Sequence, residues 1–304
     1  MTAVSTGQVP SGFVALVGRP NAGKSTLTNA LVGEKVAIVS DKPQTTRHRL
    51  RAIVDTGDAQ VVIVDTPGLH KPKDALGEEL NRSALMALSD VDVACMVVDS
   101  SAPVGGGDRW VGAHVAKSPA KKVLVMTKAD LPSARTMEDR IAEAAKLASF
   151  DAVVVVSALE EFNVEGFLTT VKSMLPLGPR YFPRDMATDQ PLEVMLAEFI
   201  REKVLVRTSQ EVPHSVGVAI EDLSLDEKRD MTTVQATIYV EHDSQKGIIV
   251  GKGGETIKAI GTEARVDLER LLGTKVYLDL RVKVKKDWRR DASQIRRFGY
   301  GEGL

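Results

Sequence analysis

The sequence predicts two successive units of different class: an α/β unit with a mostly parallel sheet and helices on both faces, then a smaller α+β unit. In the first half, short β-branched runs (Phe13 to Val17, Val93 to Asp99, Val123 to Thr127, Ala152 to Val156) alternate with helical patterns. That alternation is expected of strands buried on both faces and joined by crossover helices. Residues 176–191 read PLGPRYFPRDMATDQP, with four prolines and no apolar periodicity, which marks a boundary. Beyond it the order is helix, strand, strand, short helix, glycine turn, helix, strand. The units are drawn accordingly at 8–176 and 191–304, with a linker at 177–190.

Composition narrows the function classes. The chain has 304 residues, enough for two domains, and its 40 Lys plus Arg balance 41 Asp plus Glu, so any nucleic-acid contact must come from a local patch. The single cysteine, Cys95, lies in an apolar run; it allows no disulfide within one chain and makes a reducing, cytosolic setting the default. No apolar stretch approaches the roughly 18 residues of a membrane span, and Met1 to Pro10 lacks the pattern of a secretory leader. Peripheral contact with the inner face of a membrane stays open, and the chain is expected to be a monomer.

The most informative stretch is Gly18 to Ser25, GRPNAGKS, between the strand ending at Val17 and the helix beginning near Thr26. It fits G-x-x-x-x-G-K-[ST], a loop that wraps phosphates with its own N–H groups. Gly18 and Gly23 allow the turns; Asn21 and Ala22 complete the cradle; Lys24 would reach the β- and γ-phosphates; Ser25 would hold magnesium. The helix from Thr26 adds its N-terminal dipole. A hairpin is expected from Arg51 to Thr56 and Gln60 to Val64, and it leads into Asp65-Thr66-Pro67-Gly68. Asp65 at a strand exit is placed to hold magnesium through water, and Gly68 to offer its N–H to a γ-phosphate.

Between these lies Val36 to Arg51, polar, basic and broken by Pro43, expected to be a mobile loop. Its Thr46 is the first choice to complete the magnesium shell when a γ-phosphate is present, with Thr45 second. Two further patches fall at strand ends. In Thr127-Lys128-Ala129-Asp130, Asp130 can accept N1–H and the exocyclic amino group of guanine while the Lys128 stem lies along the base. In Ser157-Ala158-Leu159, a tight turn can present an N–H to the guanine O6. His48 and His70 have no neighbours that would make a metal site and read as loop histidines, His70 being a minor candidate for positioning water.

With all five stretches in order, the first unit resembles a translation-factor-type GTPase, a P-loop GTPase domain. The resemblance implies GTP and GDP binding with Mg2+. Two departures follow. The base-reading motif normally begins with Asn and here has Thr127, which weakens the expected tie to the phosphate loop. Leu69 stands where many signalling GTPases place the glutamine that orients water, so hydrolysis should be slow unaided. In GTPases resembling this one, Asn21 is linked to a potassium ion, K+, acting like an arginine finger; Asn also suits the loop sterically, and both readings stand.

In the second unit, Gly251-Lys252-Gly253-Gly254 follows Ile248-Ile249-Val250 and precedes a helical run from Glu255 to Leu272. The order of elements resembles an α+β type II KH domain, whose G-x-x-G loop clamps the backbone of single-stranded RNA beside an apolar groove. Gly251, Lys252, Gly253 and Gly254 would form the clamp and Ile249 part of the groove. Arg281 to Arg297 carries eight basic residues against Asp287 and Asp291, a balance of +6, so Lys285, Lys286 and Arg289 are candidate phosphate contacts. Trp288 reads equally as a base-stacking platform or a packing residue.

A GTPase domain of this motif set with one C-terminal KH domain, together with QTTRHR, DTPGLH and IIVGKGGETIKAIGTEAR, is similar to the Era family of ribosome-assembly GTPases over nearly the whole chain. The resemblance implies slow GTP hydrolysis and binding of the 3′ end of small-subunit ribosomal RNA during maturation of the 30S subunit. Leu69 and Thr127 leave room for an RNA-binding adaptor with structural nucleotide. Asp130 and the SAL turn argue against a P-loop ATPase or nucleoside kinase.

Overall fold

The computed structural model describes residues 7–72, 74–133, 135–209 and 212–300. In chain order the elements are β1 (Val9–Val17), α1 (Lys24–Val32), β2 (Leu50–Asp55), β3 (Gln60–Asp65), α2 (Ala75–Ala87), β4 (Val93–Asp99), α3 (Gly106–Val115), β5 (Lys121–Thr127), α4 (Met137–Ala144), β6 (Ala152–Val155), α5 (Val164–Lys172), β7 (Leu177–Gly178), α6 (Leu192–Arg207), α7 (Val212–Ser215), β8 (Gly217–Asp226), β9 (Met231–Val240), α8 (Asp243–Val250), α9 (Glu255–Leu272), β10 (Lys275–Val284) and α10 (Ala292–Arg297). They form two compact units. Among the described residues, one contains 7–37, 46–72 and 77–189; the other contains 38–45, 74–76 and 190–300.

The first unit is built on a sheet of order β2-β3-β1-β4-β5-β6. The pairings from β3 through β6 are parallel, and β2 joins β3 antiparallel, as the expected hairpin requires. Because side chains alternate across a strand, Val14 and Leu16 enter one apolar cluster while Ala15 and Val17 enter the other. Helices α1 and α5 cover the first cluster; α2, α3 and α4 cover the second. Buried valines, leucines and isoleucines on both faces, at about 1.5–3 kcal/mol each, hold the strand ends from which the functional loops emerge. Cys95 packs in the first cluster, and burial pushes its thiol far above the usual range.

The proline-rich stretch, expected as a linker at 177–190, makes contacts of its own. Leu177 and Gly178 pair with Pro10 and Val9 as β7, extending β1 at its start. The Gln60 side chain accepts the N–H groups of Tyr181 (2.8 Å) and Phe182 (3.0 Å) and donates to the Phe182 carbonyl (2.9 Å). Ile53 N–H reaches the Ala187 carbonyl at 2.8 Å, and Ala52 bridges Thr188. For residues 187–188 the physical reason is the exposed edge of β2, whose unpaired backbone groups need partners. These residues belong to the first unit, which ends at Asp189.

The second unit has a three-stranded sheet of order β10-β9-β8, with β8 antiparallel and β10 parallel to β9. A parallel neighbour demands a crossover, supplied by α8, the GKGG turn and α9. Leu196, Ile200 and Val204 of α6 pack with Ile260, Ala264 and Leu268 of α9 and with Val234 and Ile238 of the sheet. Leu192, at the start of α6, is 38% exposed. The segment Ile38–Thr45 belongs to this unit. Ile38 joins its core; Val39 N–H donates to Glu202 Oε1 at 2.9 Å; and the fully buried Arg201 donates to the Thr45 carbonyl.

After β10 the chain folds back. Trp288 is fully buried, its indole N–H on the Ser215 carbonyl at 2.9 Å and its ring edge-on to Phe298. It is a packing residue. The base-stacking alternative is excluded by its burial.

Candidate functional site

The phosphate loop leaves β1 at Gly18, whose backbone lies so close to the Val97 carbonyl that a Cβ would sit 2.5 Å from it. Asn21 has φ 61° and Gly23 φ 92°, left-handed conformations that turn the loop into α1. Ala22 is buried, and Thr26 lies in the first turn of α1. The Lys24 ammonium is drawn under the loop, donating to the carbonyls of Gly18 (3.3 Å) and Arg19 (3.1 Å). Burial lowers its pKa to about 8 against the opposing pull of Asp65.

Three oxygens converge beside it. Ser25 Oγ donates to Asp65 Oδ2 at 2.6 Å and lies 2.8 Å from Thr46 Oγ1. Asp65 is fully buried, and its Oδ1 has no hydrogen-bond partner among the described residues. Burial raises its pKa to about 6, opposed by Lys24 and Ser25. A buried carboxylate oxygen without a donor, next to two hydroxyls, fits a hard cation held by oxygen ligands. Of the two threonines weighed from sequence, Thr46 joins this cluster. The Thr45 hydroxyl is held by Ser40 Oγ and the Lys42 carbonyl, both at 2.6 Å.

Gly68 passes Pro20 so closely that a Cβ would lie 2.6 Å from the Pro20 Cα. The next residue, Leu69, donates its N–H to the Gly18 carbonyl at 3.1 Å and is fully buried. Its side chain therefore takes no part in orienting water. His70 folds back so that Nδ1 is 3.1 Å from the Gly68 carbonyl.

At the other end of the loop, the Thr127 hydroxyl donates to the Ala22 carbonyl at 2.6 Å. The tie that an asparagine would make to the phosphate loop is thus made by a hydroxyl. Lys128, at φ 57°, pairs with Asp99 Oδ2 at 2.7 Å, and Asp130 Oδ1 accepts from Ser157 Oγ at 2.6 Å. Ser157 N–H is taken by the Phe162 carbonyl, so a donor to a base carbonyl would have to come from Ala158 or the exposed Leu159. Two participants had been missed. Asp99 sits at the end of β4, and the strand-end rule that marked Asp65 and Asp130 could have found it. Asn29 inside α1 accepts the N–H groups of Val36 (3.0 Å) and Ala37 (2.8 Å), fixing the start of the following loop; nothing local in the sequence signals it.

In the second unit the glycine turn has Gly251 at φ 74°, Gly253 at φ 60° and Gly254 at φ 83°. A side chain at Gly251 would run into Thr256, whereas Gly253 and Gly254 have open space where a Cβ would stand. Lys252 is exposed at the tip. Ile249 is fully buried in the core, so it cannot line a groove; helix phase turns Ile248, half exposed, outward instead. Lys285 and Lys286 are exposed. Arg289 differs from expectation: it pairs with Glu241 (2.7 Å) and Asp74 (3.2 Å), which neutralises it. Arg281 pairs with Asp279 and Arg297 with Glu221, so the patch carries less free charge than the count of +6 implied.

Comparison with known proteins agrees with this architecture. A family model described as a 50S ribosome-binding GTPase matches residues 13–128, and a KH domain model matches residues 211–289. A GTPase Era from Staphylococcus haemolyticus is 45% identical over 292 residues, covering 96% of this chain and 97% of that protein. A crystal structure of an Aquifex aeolicus Era variant bound to GDP·AlF4− superposes with a TM-score of 0.92 at 36% identity, covering 96% of this chain and all of that one. An Era structure in complex with MgGDPNP and nucleotides 1506–1542 of 16S ribosomal RNA gives 0.92 at 37% identity, over 96% and 99%. With that identity sustained across both units, the chain belongs to the Era family of GTPases.

Proposed function

We propose that the first unit binds and slowly hydrolyses GTP at the cluster described, and that the second holds the 3′-end region of small-subunit ribosomal RNA during assembly of the 30S subunit. The observation that carries the nucleotide half is the convergence of Ser25, Thr46 and the buried Asp65 carboxylate beside Lys24. Ser25, Thr46 and Asp65 would hold Mg2+, whose charge offsets that of the phosphates when it is bound. Lys24 and the N–H groups of the loop around residues 21–26 then stabilise the charge that spreads over the γ-phosphoryl group as water attacks in line. Gly68 would offer its N–H to the γ-phosphate. Asp130, held by Ser157, selects guanine; Lys128, held by Asp99, covers the base. The left-handed Asn21 is where a potassium ion would assist, since Leu69 is withdrawn into the core.

The RNA half rests on the GKGG turn, open at Gly253 and Gly254 with Lys252 at its tip, and on the RNA-bound relative. Lys285, Lys286 and Ile248 would extend the contact. We place the protein in the cytoplasm as a monomer. No described helix is long and apolar enough to cross a membrane. The test is GTP turnover by the purified chain in potassium buffer, with and without an oligonucleotide matching the 3′ end of 16S ribosomal RNA. Stimulation that disappears in Lys252→Asp is the expected result. Oligonucleotide binding with no change in turnover would leave two uncoupled functions, and no turnover at all would favour the adaptor.

A further inference from the structure

Arg201 is fully buried in α6, an expensive place for a guanidinium unless its protons are used. Glu198, one turn earlier, takes Nε (2.7 Å) and Nη2 (2.5 Å), which keeps the group charged. The same Nη2 also donates to the carbonyl of Thr45, 156 residues away in sequence. The next residue, Glu202, is buried too, and its Oε1 accepts the N–H of Val39. Its other oxygen is held by Lys203 at 2.8 Å, and Lys203 is itself held by Asp267 at 2.6 Å. Two consecutive residues of one helix therefore grip both ends of Val39 to Thr45. Inside that segment the Thr45 hydroxyl closes a turn onto Lys42 and Ser40, so the gripped piece is compact. Thr46, the residue beside Ser25, is bonded directly to it.

We infer that Arg201 and Glu202 are positioning residues for GTP hydrolysis, holding Val39 to Thr45 so that Thr46 is delivered to the cation shell when the γ-phosphate is present. The inference rests on the role proposed above for Thr46. It assigns a function to a buried ion pair whose presence the packing of the second unit alone leaves unexplained. An Arg–Glu pair one helical turn apart could sit at the surface, and stability is often no worse when a buried pair is replaced by apolar groups. Neither residue touches the nucleotide.

The test compares Arg201→Met, Glu202→Leu and Glu202→Gln with Thr46→Val in the full-length chain. Arg201→Met and Glu202→Leu should each lower turnover about tenfold, the loss expected when a hydrogen bond involving a charged group no longer holds the segment. They should raise the magnesium concentration needed for half-maximal rate and weaken binding of a non-hydrolysable GTP analogue. GDP affinity should stay within about twofold, a split that a merely structural defect would not produce. Glu202→Gln, which keeps an acceptor for Val39, should recover most of what Glu202→Leu loses. If Thr46→Val turns over at the wild-type rate, the role given to Thr46 fails. If Thr46→Val is slow while the Arg201 and Glu202 variants are not, the inference alone fails; equal loss of GDP and analogue binding overturns it as well. Should Arg201→Met not fold, amide exchange in the wild type decides: Val39 must be better protected with the analogue than with GDP, and equal protection refutes the inference.

Discussion

The chain contains two glycine loops, each with one lysine, and they handle phosphate in opposite ways. In GRPNAGKS the lysine is buried and bonded to loop carbonyls, Gly18 is fixed by its close approach to the Val97 carbonyl and Gly23 by its left-handed backbone, and a carboxylate lies within electrostatic reach. In GKGG the lysine stands in solvent, and two of the glycines face open space. The first loop is a preorganised cavity in which each donor acts at low dielectric; the second is a surface clamp in which charge is screened and contacts are made by the ligand's own shape. One motif vocabulary, glycines plus a cation, thus yields a site for chemistry or a site for holding, according to depth.

The comparison breaks most decisively at Lys24. Lys24→Met should reduce turnover by about 10²–10³-fold, on the scale of losing one preorganised donor to a developing anion, and single-turnover kinetics at saturating GTP would measure it. Equal losses from Lys24→Met and Lys252→Ala would erase the distinction. At the second loop the expected effect is smaller and of another kind. Lys252→Ala should weaken oligonucleotide binding roughly evenly across sequences and make the dependence of log K on log salt shallower by about 0.7, the share of one phosphate contact on a single strand. A salt titration by fluorescence anisotropy reads this. GDP binding should keep its salt dependence in that variant.

The smallest effect sharpens the electrostatic half. Burial pushes the Asp65 carboxyl up to about 6 and the Lys24 ammonium down to about 8. Binding of magnesium and nucleotide requires the carboxylate and the ammonium. Near pH 6 the complex should therefore release a fraction of a proton from Asp65, whereas near pH 8 it should take one up at Lys24. Calorimetric titrations in buffers of different ionisation heat measure the sign directly. Asp65→Asn should abolish the release at low pH and, by removing the pull that raises Lys24, shift the uptake to lower pH.

Much of the nucleotide site was legible because its requirements are local. A backbone that must turn at Gly18 and Gly23, and acidic residues at the ends of buried strands, leave marks within a few residues. Features set by distant partners left none. Helix phase, decided by what α8 packs against, puts Ile249 inside and Ile248 outside. A count of basic residues could not show that Arg289 is already neutralised by Glu241 and Asp74, nor that Trp288 is wedged against Phe298. The grip of Arg201 and Glu202 on residues more than 150 positions earlier was equally invisible. Thr127 shows a milder case: the motif reads as degraded, yet a hydroxyl reaches the same loop that an amide would.

The proline-rich stretch along the edge of β2 bears on how the molecule can be cut. Composition marks it as the natural place for a protease or for the end of a truncated gene. Its backbone, however, is engaged at Tyr181, Phe182 and Ala187, and a protease that needs an extended strand must first peel it from the sheet. A fragment ending at Pro176 would keep every nucleotide-binding motif and still bare a strand edge able to recruit a second molecule. The soluble excised GTPase unit should end after Asp189.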